Sequence, residues 1–332
     1  MSSQLSKSLF RKRSSLAAAI LAGCLSASVS FSASAVESIH FLIPGGAGGG
    51  WDGTARGTGE ALHKSGLIDT VSYENMSGGG GGKAIAHLIE TANQKTDTLM
   101  VNSTPIVIRS LSKVFPQSFR DLTPIAATIG DFGAFVVRKD SPYTSFEQVV
   151  ADYQKNPRSV KISGGSARGS MDHLVAAMAF KAAGGNPRQV RYVAYDAGGD
   201  AMAGLLSGET ELLSTGFSEA LALAEAGEVR ILVMTGDKRS DAAPEVPTLK
   251  ELGYDATFVN WRGFFGAPGL SDAQKAEFVE VLQKMYDTEE WETVRARNGW
   301  TEIFKPDAEF ISFLESQETE VGALMRELGF LK

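Results

Sequence analysis

The segment Ile39–Arg56, IHFLIPGGAGGGWDGTAR, constrains this chain more than any other. An apolar run, Phe41–Ile43, stops at Pro44, and every residue from Gly45 to Gly50 is glycine except Ala47. Trp51 and Asp52 then open a helix-like stretch. The pattern predicts a strand, a loop of bare backbone and a helix N-terminus. Glycine carries no Cβ, so the backbone can close around a ligand. The first N–H groups of a helix lack intrahelical acceptors, and the helix dipole favours negative charge beside them. An anion gripped by backbone is therefore expected here. Comparable loops stand at Ser77–Gly82, Ser163–Gly169 and Asp196–Gly199.

The chain has 332 residues, long enough for two domains. Its start reads as an export leader. Lys7, Arg11, Lys12 and Arg13 form a basic region, Leu16–Leu25 an apolar core, and Ala33-Ser34-Ala35 a small-residue cleavage site. Residues 1–35 are therefore set apart from the fold as a signal peptide. A competing reading takes Leu21-Ala22-Gly23-Cys24 as a lipobox, with Cys24 lipidated and the following residues a tether. Cys24 is the single cysteine, so a chain cut after Ala35 has no disulfide and no thiol chemistry. Losing the four basic residues moves the formal charge from −7 to −11 (−7 − 4). So acidic a protein is a poor partner for nucleic acid or an anionic membrane. An anion site would have to be lined with N–H groups and a few cations.

Strand-like and helix-like segments alternate, which predicts an α/β fold. Ile39–Ile43, Val71–Glu74, Thr98–Asn102, Leu122–Ile129, Gly133–Val137, Val160–Ser163, Val190–Tyr195, Leu212–Thr215, Val229–Thr235 and Trp261–Ala267 read as strands. Helices are expected at Asp52–Lys64, Gly82–Thr91, Phe146–Lys155, Ser170–Ala183, Asp200–Ser207 and Ser218–Ala226. Three amphipathic helices follow, at Ala273–Asp287, Glu289–Asn298 and Asp307–Gly329. Two apolar strands, Gly133–Lys139 and Trp261–Ala267, are candidate crossovers between two lobes, with the C-terminal helices packing back onto the first lobe.

Several catalytic readings fail on their own residues. Gly48-x-Gly50-x-x-Gly53 with Glu74 beyond it matches the dinucleotide fingerprint, but Trp51 would crowd a pyrophosphate at the helix start. Ser77–Lys83 has Ser77 where a P-loop needs glycine, and Ala84 where it needs Ser or Thr. Ser163–Ser170 misses the G-x-S-x-G elbow because Arg168 replaces the last glycine. The four histidines show no metal-ligand spacing. No catalytic residue, metal or cofactor is expected. What remains is a binding site. Its candidates are Gly46, Gly48, Gly49, Gly50, Trp51 and Asp52 in the first loop, and Ser103 and Thr104 at a strand end. Ser163, Ser166, Arg168, Gly169 and Ser170 form a second jaw, and Asp196 ends another strand. Arg168 reads either as a bidentate carboxylate clamp or as a surface ion pair. Ser103 and Thr104 read either as contacts or as turn residues. Lys83 faces either ligand or solvent.

Together these residues resemble the substrate-binding proteins of bacterial tripartite tricarboxylate transporters, the TctC or Bug family. The marks are Pro44-Gly-Gly…Trp51-Asp52…Arg56, the glycines before Lys83, and Ser163–Ser170 before Asp172-His173. Tyr195…Gly198-Gly199, Pro244…Val246-Pro247-Thr248 and Trp261…Gly263-Phe264…Ala267-Pro268 complete the set. The resemblance implies a two-lobed, type II periplasmic-binding-protein fold without catalysis, with residues 36–135 plus 256–332 in lobe I and 136–255 in lobe II. It implies a di- or tricarboxylate ligand, citrate-like, held between the loops Pro44–Asp52 and Ser163–Ser170. It also implies a periplasmic location, delivery to membrane permease subunits, and a monomer. The glycine run departs from the family's usual turn, since Asn75-Met76-Ser77 stand where an Arg-Pro is customary. Two other functions fit the same residues less well: a sensor that reports its ligand to a membrane kinase, and an exported α/β enzyme.

Overall fold

The computed structural model describes residues 36–332. The leader, its cleavage site and Cys24 lie outside the described residues.

In chain order, β1 (Ser38–Ile43), α1 (Gly50–Lys64), β2 (Thr70–Asn75), α2 (Gly82–Glu90), β3 (Thr98–Ser103) and α3 (Thr104–Ser112) come first. β4 (Thr123–Arg138) follows. Then come α4 (Phe146–Lys155), β5 (Lys161–Gly164), α5 (Met171–Ala182), β6 (Arg191–Ala194), α6 (Gly198–Leu206), β7 (Leu212–Gly216), α7 (Phe217–Glu225) and β8 (Val229–Met234). The chain ends with β9 (Val259–Gly266), α8 (Asp272–Tyr286), α9 (Glu289–Arg297), β10 (Thr301–Pro306) and α10 (Asp307–Leu328).

The expected α/β fold is present as two sheets joined by one long strand. β2, β1 and β3 run parallel, and β9 continues the sheet antiparallel to β3. β4 pairs with β9 from Thr123 to Phe132, then with β7 and β8 from Gly133 to Arg138. β5 and β6 extend the second sheet beyond β7. The sequence suggests two strands, Leu122–Ile129 and Gly133–Val137. The structure makes one 16-residue strand instead. Asp131 is fully buried there and is matched by Arg262, so its charge does not break the strand.

That strand is the first crossing. The second lies just ahead of β9, between Phe258 and Val259, so Trp261–Ala267 itself sits within the first sheet. Thr235 ties the two crossings together. Its N–H donates to the Gly133 carbonyl and its hydroxyl to the Phe258 carbonyl, while the Phe258 N–H returns to the Thr235 carbonyl. A buried threonine saturated in this way joins the two crossings through its backbone and its hydroxyl.

α1, α8 and α9 cover the first sheet around Phe41, Leu62, Leu282, Trp291 and Trp300. α10 reaches further than the sequence suggests. Phe310 packs on Trp261, while Phe330, just beyond the helix, meets His173 of the second lobe edge-on at 4.8 Å. Glu318 pairs with Arg120 at 2.8 Å and Glu327 with Lys181, so the helix straps both parts.

Candidate ligand-binding site

β1 ends at Ile43, and the following glycines bring the chain back to the start of α1. Gly48 takes φ +74°, a left-handed backbone that favours glycine. Asp52 holds the loop from inside. Its carboxylate accepts from the Gly48 N–H (3.0 Å), Arg56 Nε (2.9 Å) and Asn75 Nδ2 (3.1 Å). Asp52 is thus an organiser of the loop, and it is not among the residues facing the cleft. The Trp51 indole N–H donates to Ser103 Oγ at 2.9 Å, which fixes the ring as a wall. The second glycine run, Gly78–Gly81, has positive φ throughout and packs behind that wall, with a Cβ on Gly81 3.4 Å from the Trp51 ring. Lys83 is exposed and faces away from the cleft.

The opposing jaw is built from the N-terminal ends of α5 and α6. The two jaws meet backbone to backbone. A Cβ on Gly49 would stand 3.3 Å from the Gly198 N; within the opposing jaw, one on Gly165 would stand only 2.2 Å from the same atom. No side chain fits at Gly165, which is why a glycine sits there. Between the jaws lies a cleft of about 490 Å³ counting its open mouth, narrowing to about 60 Å³ where water centres fit. That inner space holds roughly four to six waters, enough for a compact organic acid and too little for a nucleotide.

Helix starts converge on this space. Gly50 of α1, Pro105 of α3, Met171 of α5, Gly198 of α6 and Glu219 of α7 all line it. Gly46, Gly49, Trp51, Ser103, Ser166 and Asp196 also line it, as the sequence suggested, with Asp196 exposed at the mouth. Gly48, Thr104, Ser163, Gly169 and Ser170 stand behind the lining. Ser163 Oγ, for example, donates to the Leu212 carbonyl at 3.3 Å. Arg168 is not brought to the cleft. It is exposed, and its guanidinium donates to the Tyr192 carbonyl at 2.5 Å. Arg168→Ala is therefore expected to change ligand affinity less than about twofold, measured by titration calorimetry. A tenfold loss would restore the clamp.

The charged residues of the cleft are ones the sequence reading passed over. Arg262, on β9, is almost wholly buried and lies 2.8 Å from Asp131 and 3.9 Å from Glu219. Its Nη1 donates to Thr54 Oγ1 at 3.2 Å, and its Nε has no protein partner. Asp172, second residue of α5, is buried against the cavity. Burial pushes its carboxyl up to about 8, and Glu219 adds in the same direction against Arg262. Glu219 is also raised, by burial first, although it accepts from the Gly216 N–H and the Thr215 hydroxyl. His173, beside Asp172, stacks on Tyr192 at 4.7 Å and accepts from the Gly169 N–H, and burial lowers it to about 4. Among the described residues, no group of three His, Cys, Asp or Glu is placed to hold a metal.

The family model described as "Tripartite tricarboxylate transporter family receptor" matches residues 55–330. This chain belongs to the TctC receptor family. A family member from Cupriavidus necator, the UPF0065 protein in the gbd 5′ region, is 26% identical over 268 residues, 80% of each chain. The solved TctC-like folds include the periplasmic binding protein BugD, with a TM-score of 0.79 at 19% identity, over 88% of this chain and 97% of that one. MatC of Rhodopseudomonas palustris with bound malate superposes with a TM-score of 0.76 at 18% identity, over 86% and 98%. The two-lobed, type II fold expected of a TctC receptor is thereby established, and the family is one of solute receptors.

Proposed function

We propose that this TctC receptor is a periplasmic protein that closes on a small organic carboxylate and delivers it to the permease subunits of a tripartite transporter. The observation that carries the reading is the meeting of two glycine-framed helix starts, Gly49–Gly50 and Gly198, across one small cavity. Helix starts of this kind carry N–H groups without intrahelical acceptors, and the helix dipoles add in sign. The lobes, residues 36–135 plus 256–332 and 136–255, would move about Phe132–Gly133 and Phe258–Val259. Closure then stabilises the bound form through contacts that exist only when both jaws meet.

The cleft favours a mono- or dicarboxylate over citrate. Among the described residues, Arg262 is the one cation lining it, and Asp131 already pairs with it. A citrate trianion would bring three charges to one cation that is already paired, with Asp196 at the mouth. A thermal-shift screen of the purified protein against malate, adipate, lactate and citrate tests this. A true ligand at 100 times its Kd should add about 2.7 kcal/mol of stability. Citrate stabilising most strongly would reverse the preference for lower charge. No stabilisation by any carboxylate would remove the receptor reading itself.

A further inference from the structure

We infer that the outer edge of the second sheet, from the turn before β6 to Arg168, is a docking surface for an acidic segment of a partner protein. The inference goes beyond the receptor reading and does not depend on it.

The chain repeats one turn. Asn156-Pro157-Arg158-Ser159-Val160-Lys161 leads into β5, and Asn186-Pro187-Arg188-Gln189-Val190-Arg191 leads into β6. In each, the asparagine side chain accepts from the arginine N–H at 3.1 Å, and proline opens a short 3-10 turn. Proline fixes its own φ and the asparagine ties down the backbone after it, so Arg158 and Arg188 project from ordered chain. β5 and β6 run parallel with Lys161 opposite Arg191, and there the two copies diverge. Lys161 pairs with Glu211 at 3.6 Å, whereas Arg191 Nη1 donates to the Arg158 carbonyl at 3.3 Å. Arg168 leans on the same strand through the Tyr192 carbonyl. It follows Ala167, which meets Gly80 of the first lobe. Arg188 lies against Gly329, and the neighbouring Phe330 reaches Gly169, so the four arginines border one continuous surface.

Arg158, Arg168, Arg188 and Arg191 are all exposed, and none of them forms an ion pair among the described residues. Other exposed arginines are matched, Arg120 by Glu318, Arg239 by Glu251 and Arg297 by Glu60. A chain this rich in acid leaves these four without one. Guanidinium forks take carboxylates through two parallel N–H bonds, which suits the side chains of an acidic segment. They take phosphate as readily, so the charge of the whole molecule decides between a protein and a lipid surface. A flat anionic membrane brings its charge within a Debye length, about 8–10 Å, of much more than this edge, and the acidic remainder of the protein is repelled. A narrow acidic segment meets the arginines alone.

The test is fluorescence anisotropy of a labelled decaglutamate peptide with the purified protein at low salt, where exposed charges are least screened. The triple variant Arg158→Glu, Arg188→Glu, Arg191→Glu is expected to weaken binding by about tenfold or more. The triple variant Lys95→Glu, Lys238→Glu, Lys250→Glu makes the same change of net charge elsewhere and should weaken it by less than about threefold. Glutamine at the three arginine positions gives the same readout if the reversed protein does not fold. Equal losses in the two triple variants would show attraction to cations anywhere on the molecule and overturn the surface. No detectable binding by the wild type would overturn it as well. Phosphatidylglycerol vesicles held through the same arginines, with decaglutamate left free, would replace the protein partner by a lipid surface. No carboxylate ligand of the cleft enters the experiment, so its failure leaves the receptor reading standing.

Discussion

Gly50→Ala is expected to lower ligand affinity roughly a hundredfold, equivalent to about 2.7 kcal/mol, and to reduce the melting temperature of the empty protein. Gly50 is the first residue of α1, and its absent side chain is where Arg262 and Glu219 lie. A Cβ there would stand 2.0 Å from Arg262 Nη2 and 2.6 Å from Glu219 Oε1. Arg262 cannot step aside cheaply. It is buried and bonded to Asp131 and Thr54. Overpacking of this kind costs about 1–3 kcal/mol, and displacing one member of a buried ion pair costs about 3–5 kcal/mol. Either α1 shifts away from the cleft or the ion pair breaks, and both disturb the jaw that carries the anion donors. Gly53→Ala is the control. A Cβ on Gly53, one turn along the same helix, meets nothing within 4 Å. That variant should be stabilised by up to about 1 kcal/mol, because Gly is a poor helix residue. Thermal melts and calorimetric titration of both variants check the pair. Equal affinities for Gly50→Ala and wild type would mean that Arg262 does not need its present place.

The second large effect is on pH. In the folded protein Asp172 keeps its proton up to about 8. In the unfolded chain an aspartate releases it near 3.9. Between those values the folded state holds more protons, so this group destabilises folding progressively as pH rises, by up to about 1.4 kcal/mol per unit. Glu219 is shifted the same way. His173 acts with the opposite sign. Its folded value is lowered to about 4, so below about 6.5 the unfolded chain binds a proton that the folded one refuses. Its contribution is present above about 6.5 and is lost as pH falls toward 4. The two residues offset one another on the acid side, and the carboxyls act alone above it. The melting temperature of the empty protein should therefore fall between pH 6.5 and 8, by an equivalent of about 2 kcal/mol. Asp172→Asn should flatten that limb and raise the melting temperature at pH 8. The same limb in variant and wild type would show that Asp172 ionises normally.

Much of the framework was legible because it rests on local patterns. The strand-to-loop-to-helix passage at Ile39–Arg56 needs only an apolar run, glycines and a helix former, and the structure builds β1 and α1 there. The alternation of elements led to the α/β class for the same reason. The polar heart of the cleft was not legible, because it is assembled from distant segments. Asp131, Glu219 and Arg262 come from the long strand β4, a helix start and a strand of the first sheet, and no spacing in the chain links them. Weak signals did exist. Arg262 is a lone cation within an apolar strand, and Asp131 a lone acid within another. Each is costly to bury without the other. Asp172 was noticed only as a neighbour of the serine-rich loop, although an acid at the second position of an apolar helix was worth the same question. Arg168 misled for the reverse reason. It has the right chemistry in the right loop, but its side chain turns outward to the Tyr192 carbonyl. The helix α3 went unread, although Pro105 stands in its first turn, where proline is well placed.

The central claim is that two opposed backbone jaws hold a ligand carboxylate between them. The most direct measurement is calorimetric titration of the purified protein with its best carboxylate ligand and with the corresponding primary amide. The amide keeps the shape, removes the negative charge and adds N–H donors where the jaws also present donors. The account predicts that the acid binds at least a hundredfold more tightly than the amide. Equal affinity for acid and amide would contradict it.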